Sequence, residues 1–416
     1  MRYLSHTKSD IEEMLATVGR PSIESLFKSI PEKNRFNRPL DLPKALSEIE
    51  LKRLLEEQAG KAPKRSFLGA GATMHFVPEI VSQMLLRGEW LTAYTPYQAE
   101  VSQGTLQAIF EFQTMVAGLF GMEIANASMY DGATALAEAC LMACRIKRVN
   151  AVKMHPNIHP EYLEVCQTIL GAAGIEIRDT GPAAAHVYQN PNFIGELEAQ
   201  KQIIDEAHAQ DALAIAVCTD MVALGAIQSP GFLGADIAVG EGLGLCGHLS
   251  LGGPGVGLFA TRKKFVRQMP GRLVGQTKDL KGQRGFVLTL SAREQHIRRE
   301  RATSNICTNH NLMALAFCMT LALYGQSGFR KLALNNIQKT LYFRKQAAKA
   351  GLQILSSGTH FNETLLKLSN EQAQKAKNLE KQDIFAGVWL ERNKLLVTTT
   401  ELHAESEIDE LVRSLV

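Results

Sequence analysis

Between Trp90 and Gly104 the chain crowds Tyr94, Thr95, Tyr97, Gln98, Ser102 and Gln103 around Pro96. Phenols, hydroxyls and amides in a proline-stiffened loop can wall a site and hydrogen-bond a small polar substrate. Tyr94, Thr95, Tyr97 and Gln98 are therefore candidate site residues, although the same aromatic loop would equally suit packing against another subunit. A second candidate is the turn Tyr130-Asp131-Gly132-Ala133-Thr134, which leads straight into an alanine-rich helix. Backbone amides of Gly132 and Ala133, the Thr134 hydroxyl and the helix dipole would together hold a phosphate or carboxylate. The plainer alternative is that Asp131 or Thr134 caps the helix. A third is the charged run Arg293–Arg301 continuing into the polar turn Ala302–Asn309, which reads equally as a solvated helix end.

Other spacings carry less chemistry. Gly242-Leu243-Gly244-Leu245-Cys246-Gly247 has the GxGxxG form, yet Gly252-Gly253-Pro254-Gly255 follows and forbids the helix a dinucleotide site needs. His155 and His159 have a metal-ligand spacing, but Pro160 removes the second from helical geometry, which predicts a solvated loop and no metal. Cys140 and Cys144 lie one helical turn apart with no histidine to complete a set, so packing is expected there too. HExxH, GxSxG and phosphate-loop motifs are absent.

The elements that would position these groups alternate between helix and strand. Ser9-Asp10-Ile11-Glu12 reads as a capping box, Pro21 as the first residue of a second short helix, and Pro43 to Gln58 as a third. The breaker Gly60-Lys61-Ala62-Pro63-Lys64 puts a boundary near residue 65. Beyond it, helices are predicted over 78–86, 104–119 and 133–148, and buried strands over 184–188, 213–218 and 237–239. That alternation predicts an α/β domain over 66–305 with a largely parallel sheet covered on both faces. A long apolar helix should run through Leu312 to Leu323 and end at Gly325. A further helix over 333–350, strands over 364–368, 388–390 and 395–399 and a last helix over 405–415 make 306–416 a linking helix with a small α+β domain.

Composition bounds the rest. The 416 residues are 45% hydrophobic and 21% charged, and 45 Lys+Arg against 42 Asp+Glu leave a formal +3. That excludes wholesale disorder and is too balanced for nucleic-acid binding. The seven cysteines, odd in number and set among apolar neighbours, read as reduced thiols. Met1–His6 lacks the order of a signal peptide, and no window offers about 18 apolar residues free of glycine runs. A soluble, cytoplasmic protein with no membrane partner is expected. Arg267, Arg272, Lys278, Lys281 and Arg284 form a basic cluster suited to steering an acidic carrier, or simply a solvated surface.

The run from Thr92 to Ala139, TAYTPYQAEVSQGTLQAIFEFQTMVAGLFGMEIANASMYDGATALAEA, resembles the P-protein family of the glycine cleavage system, specifically the first subunit of its split form. Phe67–Gly71, Ser250–Gly255, Arg284–Leu290 and Arg293–Asn309 match in the expected order, so the resemblance spans nearly the whole chain. It implies a pyridoxal-phosphate-dependent transferase fold of type I, with a helical N-terminal arm over 1–65. It also implies a homologous second subunit that carries the Schiff-base lysine, glycine as substrate, and the lipoyl arm of H-protein as acceptor of the aminomethyl group; the sequence leaves a heterodimer or a pair of heterodimers open, and two of each is expected. A type I site needs a lysine just after the strand that precedes the Gly-rich turn, and Gly240–His248 has none; Lys263 and Lys264 lie well beyond. Asp220 is the only carboxylate near a pyridinium position, and its shifted register makes it a vestige or a cap. On this resemblance Tyr94, Thr95, Tyr97 and Gln98 would be lent to the partner's cofactor pocket, with Gly132, Ala133 and Thr134 positioning anionic groups. Ala72-Thr73-Met74-His75-Phe76 departs from the family's more aromatic and acidic stretch, and the C-terminal domain is somewhat short; His75 is expected to bear on the route of the lipoyl arm. The competing expectations are a structural or regulatory pseudoenzyme subunit and an independent aminotransferase, which would need a lysine at Leu243 or Gly244.

Overall fold

The computed structural model describes residues 5–36, 38–59, 63–250, 252–356 and 358–416. The Gly60–Ala62 breaker, Met1–Leu4 and Leu251 of the Gly-rich match lie outside the described residues. Two compact units result, Met1–Lys61 and Ala62–Val416. In the first, the helix Lys8–Thr17 is capped by Thr7, which exchanges hydrogen bonds with Asp10. The cap is thus Thr7 and not Ser9, and the helix begins at Lys8, two residues earlier than the Ser9–Glu12 box implies. Ser22 caps Ile23–Leu26, leaving Pro21 outside, and Ser47 with Glu50 starts Glu48–Gln58 five residues later than Pro43 suggested.

The second unit is organised by a seven-stranded sheet: β1 (Ile124–Ala125), β2 (Ala151–Met154), β3 (Glu176–Ile177), β4 (Ala185–Gln189), β5 (Leu213–Cys218), β6 (Ile237–Glu241) and β7 (Gly257–Thr261), in the order β1-β7-β6-β5-β4-β2-β3. Strands β2 to β6 pair in parallel, and β7 runs antiparallel to both β6 and β1. The two sheet faces differ in bulk. Ala214, Ala216, Ala238 and Ala260 line one and meet Phe112, Phe120 and Phe317 from the helices Gln103–Phe120 and Asn311–Lys349. Leu213, Ile215, Val217, Ile237 and Phe259 line the other and meet the alanine-rich side of Gly132–Lys147. Large side chains face small ones on both sides, which lets each helix approach closely without voids.

The helix Asn311–Lys349 breaks at Gly325, where φ is 59° and ψ 178°. By length and composition it would suffice to cross a membrane, unlike the expectation that no segment would. Its Ala314, Phe317, Leu321 and Phe329 are instead buried in the core. The hairpin Leu273–Lys278 and Arg284–Thr289 lies against Gln103–Phe120, tied by the Gln113 amide, which donates to Val274 O at 3.0 Å and accepts from Val274 N at 2.9 Å. The C-terminal sheet orders Gln353–Ile354, Glu363–Lys367, Lys394–Thr398 and Val388–Glu391, all antiparallel. Asn370–Glu380 and Glu405–Leu415 cover it around Leu366, Leu395, Val397 and Leu411. Arg65–Ser66 pairs with Ile384–Phe385, and buried Phe67 roots the following segment in this core.

Candidate functional site

Strand β6 ends in Glu241, whose carboxylate points at the start of the helix Gly132–Lys147. Its Oε2 accepts from Gly132 N at 3.0 Å, and its Oε1 accepts from Leu243 N and Val256 N at 2.9 and 3.0 Å. Burial pushes this carboxyl above its usual range while the three amides oppose the rise. Asp131 caps the same helix, accepting from Thr134 N at 2.7 Å, and the Thr134 hydroxyl donates to Asp131 O. Of the predicted anion turn, Gly132 and Thr134 therefore have internal partners, and the anion seated at this helix N-terminus is the chain's own Glu241. Only glycine fits at 132, where a Cβ would lie 2.2 Å from the Tyr162 hydroxyl. The GxGxxG segment makes only the short 3₁₀ turn Leu243–Leu245.

Two residues past β5, Asp220 accepts from Val222 N at 3.0 Å, which is the expected cap, and from Asn362 Nδ2 at 2.6 Å. Both its oxygens also lie 3.1 Å from His75 Nε2. On the other side His75 Nδ1 donates to Glu401 at 3.0 Å, and Glu401 accepts from Phe76 N and Asn336 Nδ2. Burial by itself lowers the His75 pKa, but the Asp220 and Glu401 carboxylates override it and raise the value to about 10. His75 is thus an imidazolium with both ring nitrogens engaged. Its ring is buried, held between the two carboxylates. Glu363 accepts from Ala70 N at 2.5 Å and Gly71 N at 3.3 Å, and burial, with a smaller push from Asp220, raises it to about 8. His159 is the N-cap of Pro160–Ala172 and also meets Ala70 O at 2.8 Å; it is buried with a structural task, where the sequence suggested a solvated loop.

Tyr94 and Tyr97 are 74% and 52% exposed, so the loop turns its aromatic groups away from this chain's interior. Thr95 meets the Thr308 hydroxyl at 3.0 Å, and Gln98 is exposed. Tyr97 Oη accepts from Arg272 Nη2 at 2.8 Å, and the guanidinium lies 5.0 Å from the ring centroid. Arg272 also approaches Cys307 Sγ at 3.7 Å and Glu294 at 3.5 Å. Cys307 N donates to Tyr130 Oη, and Asn309 exchanges hydrogen bonds with Ser128. The structure therefore brings the Tyr94–Gln98 loop together with the polar turn before Asn309. Arg272 is buried, so the basic surface cluster consists of Arg267, Lys278, Lys281 and Arg284 alone. Glu241, Glu363 and Glu401 escaped the sequence reading, and Arg272 entered it only as one of a basic surface cluster, whereas it is buried. Of these only Glu241 carried a local signal, a charged residue closing an apolar strand directly before glycines.

A mostly parallel sheet between helices, with its polar groups gathered past the ends of β5 and β6, is the architecture of pyridoxal-phosphate-dependent enzymes of fold type I. At the level of fold alone it is shared with a C-DES mutant carrying glycine linked to its PLP cofactor (14% identity, TM-score 0.63, 85% of this chain and 96% of that one). A sphingosine-1-phosphate lyase of Burkholderia pseudomallei shares it too (12%, 0.64, 93% and 94%). Much nearer is a crystal structure of glycine decarboxylase, the P-protein of the glycine cleavage system, in inhibitor-bound form: 43% identity over 100% of this chain and 99% of that one, with TM-score 0.90. Proteins called probable glycine dehydrogenase (decarboxylating) subunit 1 are 48% identical in Rhodospirillum centenum and 45% in Carboxydothermus hydrogenoformans, each over 100% of this chain and 99% of its own length. The glycine cleavage system P-protein family profile matches residues 1–415, and the chain belongs to that family.

The residues present do not fit pyridoxal phosphate. Glu241 takes the Gly132 amide, Asp220 is paired with His75 and Asn362, and the space between Gly71, Thr73, Asp220 and Gly244 holds about one water. No lysine lines it among the described residues.

Proposed function

We propose that this chain is the subunit of glycine decarboxylase that does not hold the Schiff base. It pairs with a homologous second subunit whose lysine carries pyridoxal phosphate, two copies of each forming the assembly. It lends Tyr94, Thr95, Tyr97 and Gln98 to the site formed between them. The cofactor, when bound by the partner, supplies the electron sink for loss of CO2 from glycine. The aminomethyl group then passes to one sulfur of the lipoyl disulfide of H-protein while the other sulfur becomes a thiol. Within that site the loop's work is to wall off water with two phenol rings and to offer hydrogen bonds from Thr95 and Gln98. The observation that carries this reading is Glu241. Its carboxylate already occupies the three amides at this helix N-terminus, and no lysine stands between β6 and Val256. The fold is kept while its own cofactor seat is filled, as expected of a subunit that contributes from its surface.

The test is the visible spectrum of the purified chain with pyridoxal phosphate, alone and mixed with the second subunit, followed by glycine-dependent bicarbonate exchange with lipoylated H-protein. A bound-cofactor band and exchange only in the mixture support the reading. A band and turnover from this chain alone would sink it.

A further inference from the structure

Arg272 is 94% removed from solvent by its 6% exposure, yet its charge is met only loosely. Its Nε lies 3.5 Å from Glu294 Oε2, and neither Nε nor Glu294 Oε1 has a hydrogen-bond partner. A buried guanidinium ordinarily recovers its desolvation cost through a close two-toothed carboxylate pair. Here its shortest polar contact runs the other way, to an exposed tyrosine: 2.8 Å to Tyr97 Oη, with the same guanidinium 5.0 Å from the Tyr97 ring centroid. His296 approaches the ring from its edge at 6.1 Å. The planar fork lets one group donate to the phenol oxygen while its face lies over the phenol ring.

We infer that Arg272 is the positioning residue for Tyr97, fixing the phenol at ring and oxygen so that its own O–H is left as a hydrogen-bond donor directed away from Arg272, toward a carboxylate in the shared site. Because Arg272 fills an acceptor position on the oxygen, the hydroxyl proton stays available, and the neighbouring positive charge makes it a stronger donor. The substrate group that suits such a donor is the carboxylate of an amino acid. This inference rests on the reading that the loop faces a site completed by the second subunit.

The experiment uses the assembled pair with H-protein and compares Arg272→Lys, Arg272→Met, Tyr97→Phe and the double variant Arg272→Lys/Tyr97→Phe. Lysine keeps a charge beside Glu294 and guards against misfolding. Two readouts are taken: amide hydrogen exchange over residues 94–98, and the split between KM for glycine and kcat. Expected are exchange about tenfold faster in both Arg272 variants and a KM for glycine about tenfold higher in Arg272→Lys, as loss of one charge-assisted hydrogen bond implies. The double variant should be no worse than Tyr97→Phe. Unchanged exchange in both Arg272 variants, or strictly additive KM effects, would overturn the inference. Faster exchange with wild-type KM in every variant would uphold the Arg272 to Tyr97 link and overturn the loop's part in the shared site.

Discussion

Removing His75 would leave Asp220 and Glu401 as buried carboxylates without the cation between them. His75→Ala should cost about 3–5 kcal/mol, because an uncompensated buried charge is dearer than the pair was worth. The fall is read as a lower urea midpoint with an unchanged slope. The pH course follows from the raised value. A histidine at about 10 in the fold and about 6.5 unfolded contributes fully below 6.5 and loses the contribution as pH rises through 10. Glu363, raised to about 8, likewise favours the fold while protonated, fully below about 4.5 and decreasingly as pH rises through 8. Glu363→Gln keeps an acceptor for the Ala70 and Gly71 amides and cannot ionise, so its gain in Tm should be larger near pH 9 than near pH 5. Equal gains at both would show that this carboxyl does not titrate in the fold. Neither residue's partners were legible in the sequence. His75 meets Asp220 and Glu401 across 145 and 326 residues, and Glu363 reaches Ala70 across 293; no local pattern encodes such pairings. Asp220 and the Gly132 turn were legible because each lies beside an element end.

At the scale of elements, the helix Gly132–Lys147 begins on an internal carboxylate, which sets a second kind of expectation. Glu241→Ala strips partners from the amides of Gly132, Leu243 and Val256, so Tm should fall by several degrees, on the order of 1–3 kcal/mol per stranded amide at most. Inorganic phosphate should then raise the Tm of the variant more than chloride of equal ionic strength does, and should leave the wild type unmoved. A wild type stabilised equally by phosphate would show that Glu241 does not fill the seat. The elements nearest this site were read well, and for physical reasons. Leu213–Cys218 was found to the residue since a run buried on both faces leaves no polar interruption. Gln103–Phe120 was found within one residue at each end from its 3.6 period, and the Gly325 break from its glycine. The hairpin Leu273–Thr289 went unread because its strands end in exposed charged residues and its register depends on Gln113, 161 residues away. The helix Pro160–Ala172 was hidden behind the histidine-proline pattern that announces its start.

For the molecule as a whole, the layered architecture followed from strand and helix alternation, while the long-range polar stitching did not, and that stitching sets the pH range in which the fold holds. Burial depresses His155, His159, His186 and His360. Each favours the fold while neutral, fully above about 6.5, and loses that contribution as pH falls below it. Opposing them, burial raises Glu138, Glu241 and Glu363, and His75 is raised by its two carboxylates against burial. Below about 6.5 the lowered histidines and the raised carboxyls pull in opposite directions, so stability changes slowly there. Above 6.5 the histidine effect is saturated, and every remaining group works the same way. The folded chain keeps protons on His75 and Glu363 that the unfolded chain has released, so stability must fall with rising pH. Urea midpoints measured from pH 5 to pH 10 should therefore peak near pH 6.5 and decline on the alkaline side, with His75→Gln flattening the decline between 8 and 9, where Glu363 no longer contributes a slope and the buried thiols, raised from about 9, do not yet. A midpoint constant from 6.5 to 10, or a decline equally steep in His75→Gln, would mean that the Asp220–His75–Glu401 chain does not hold its proton in the folded molecule.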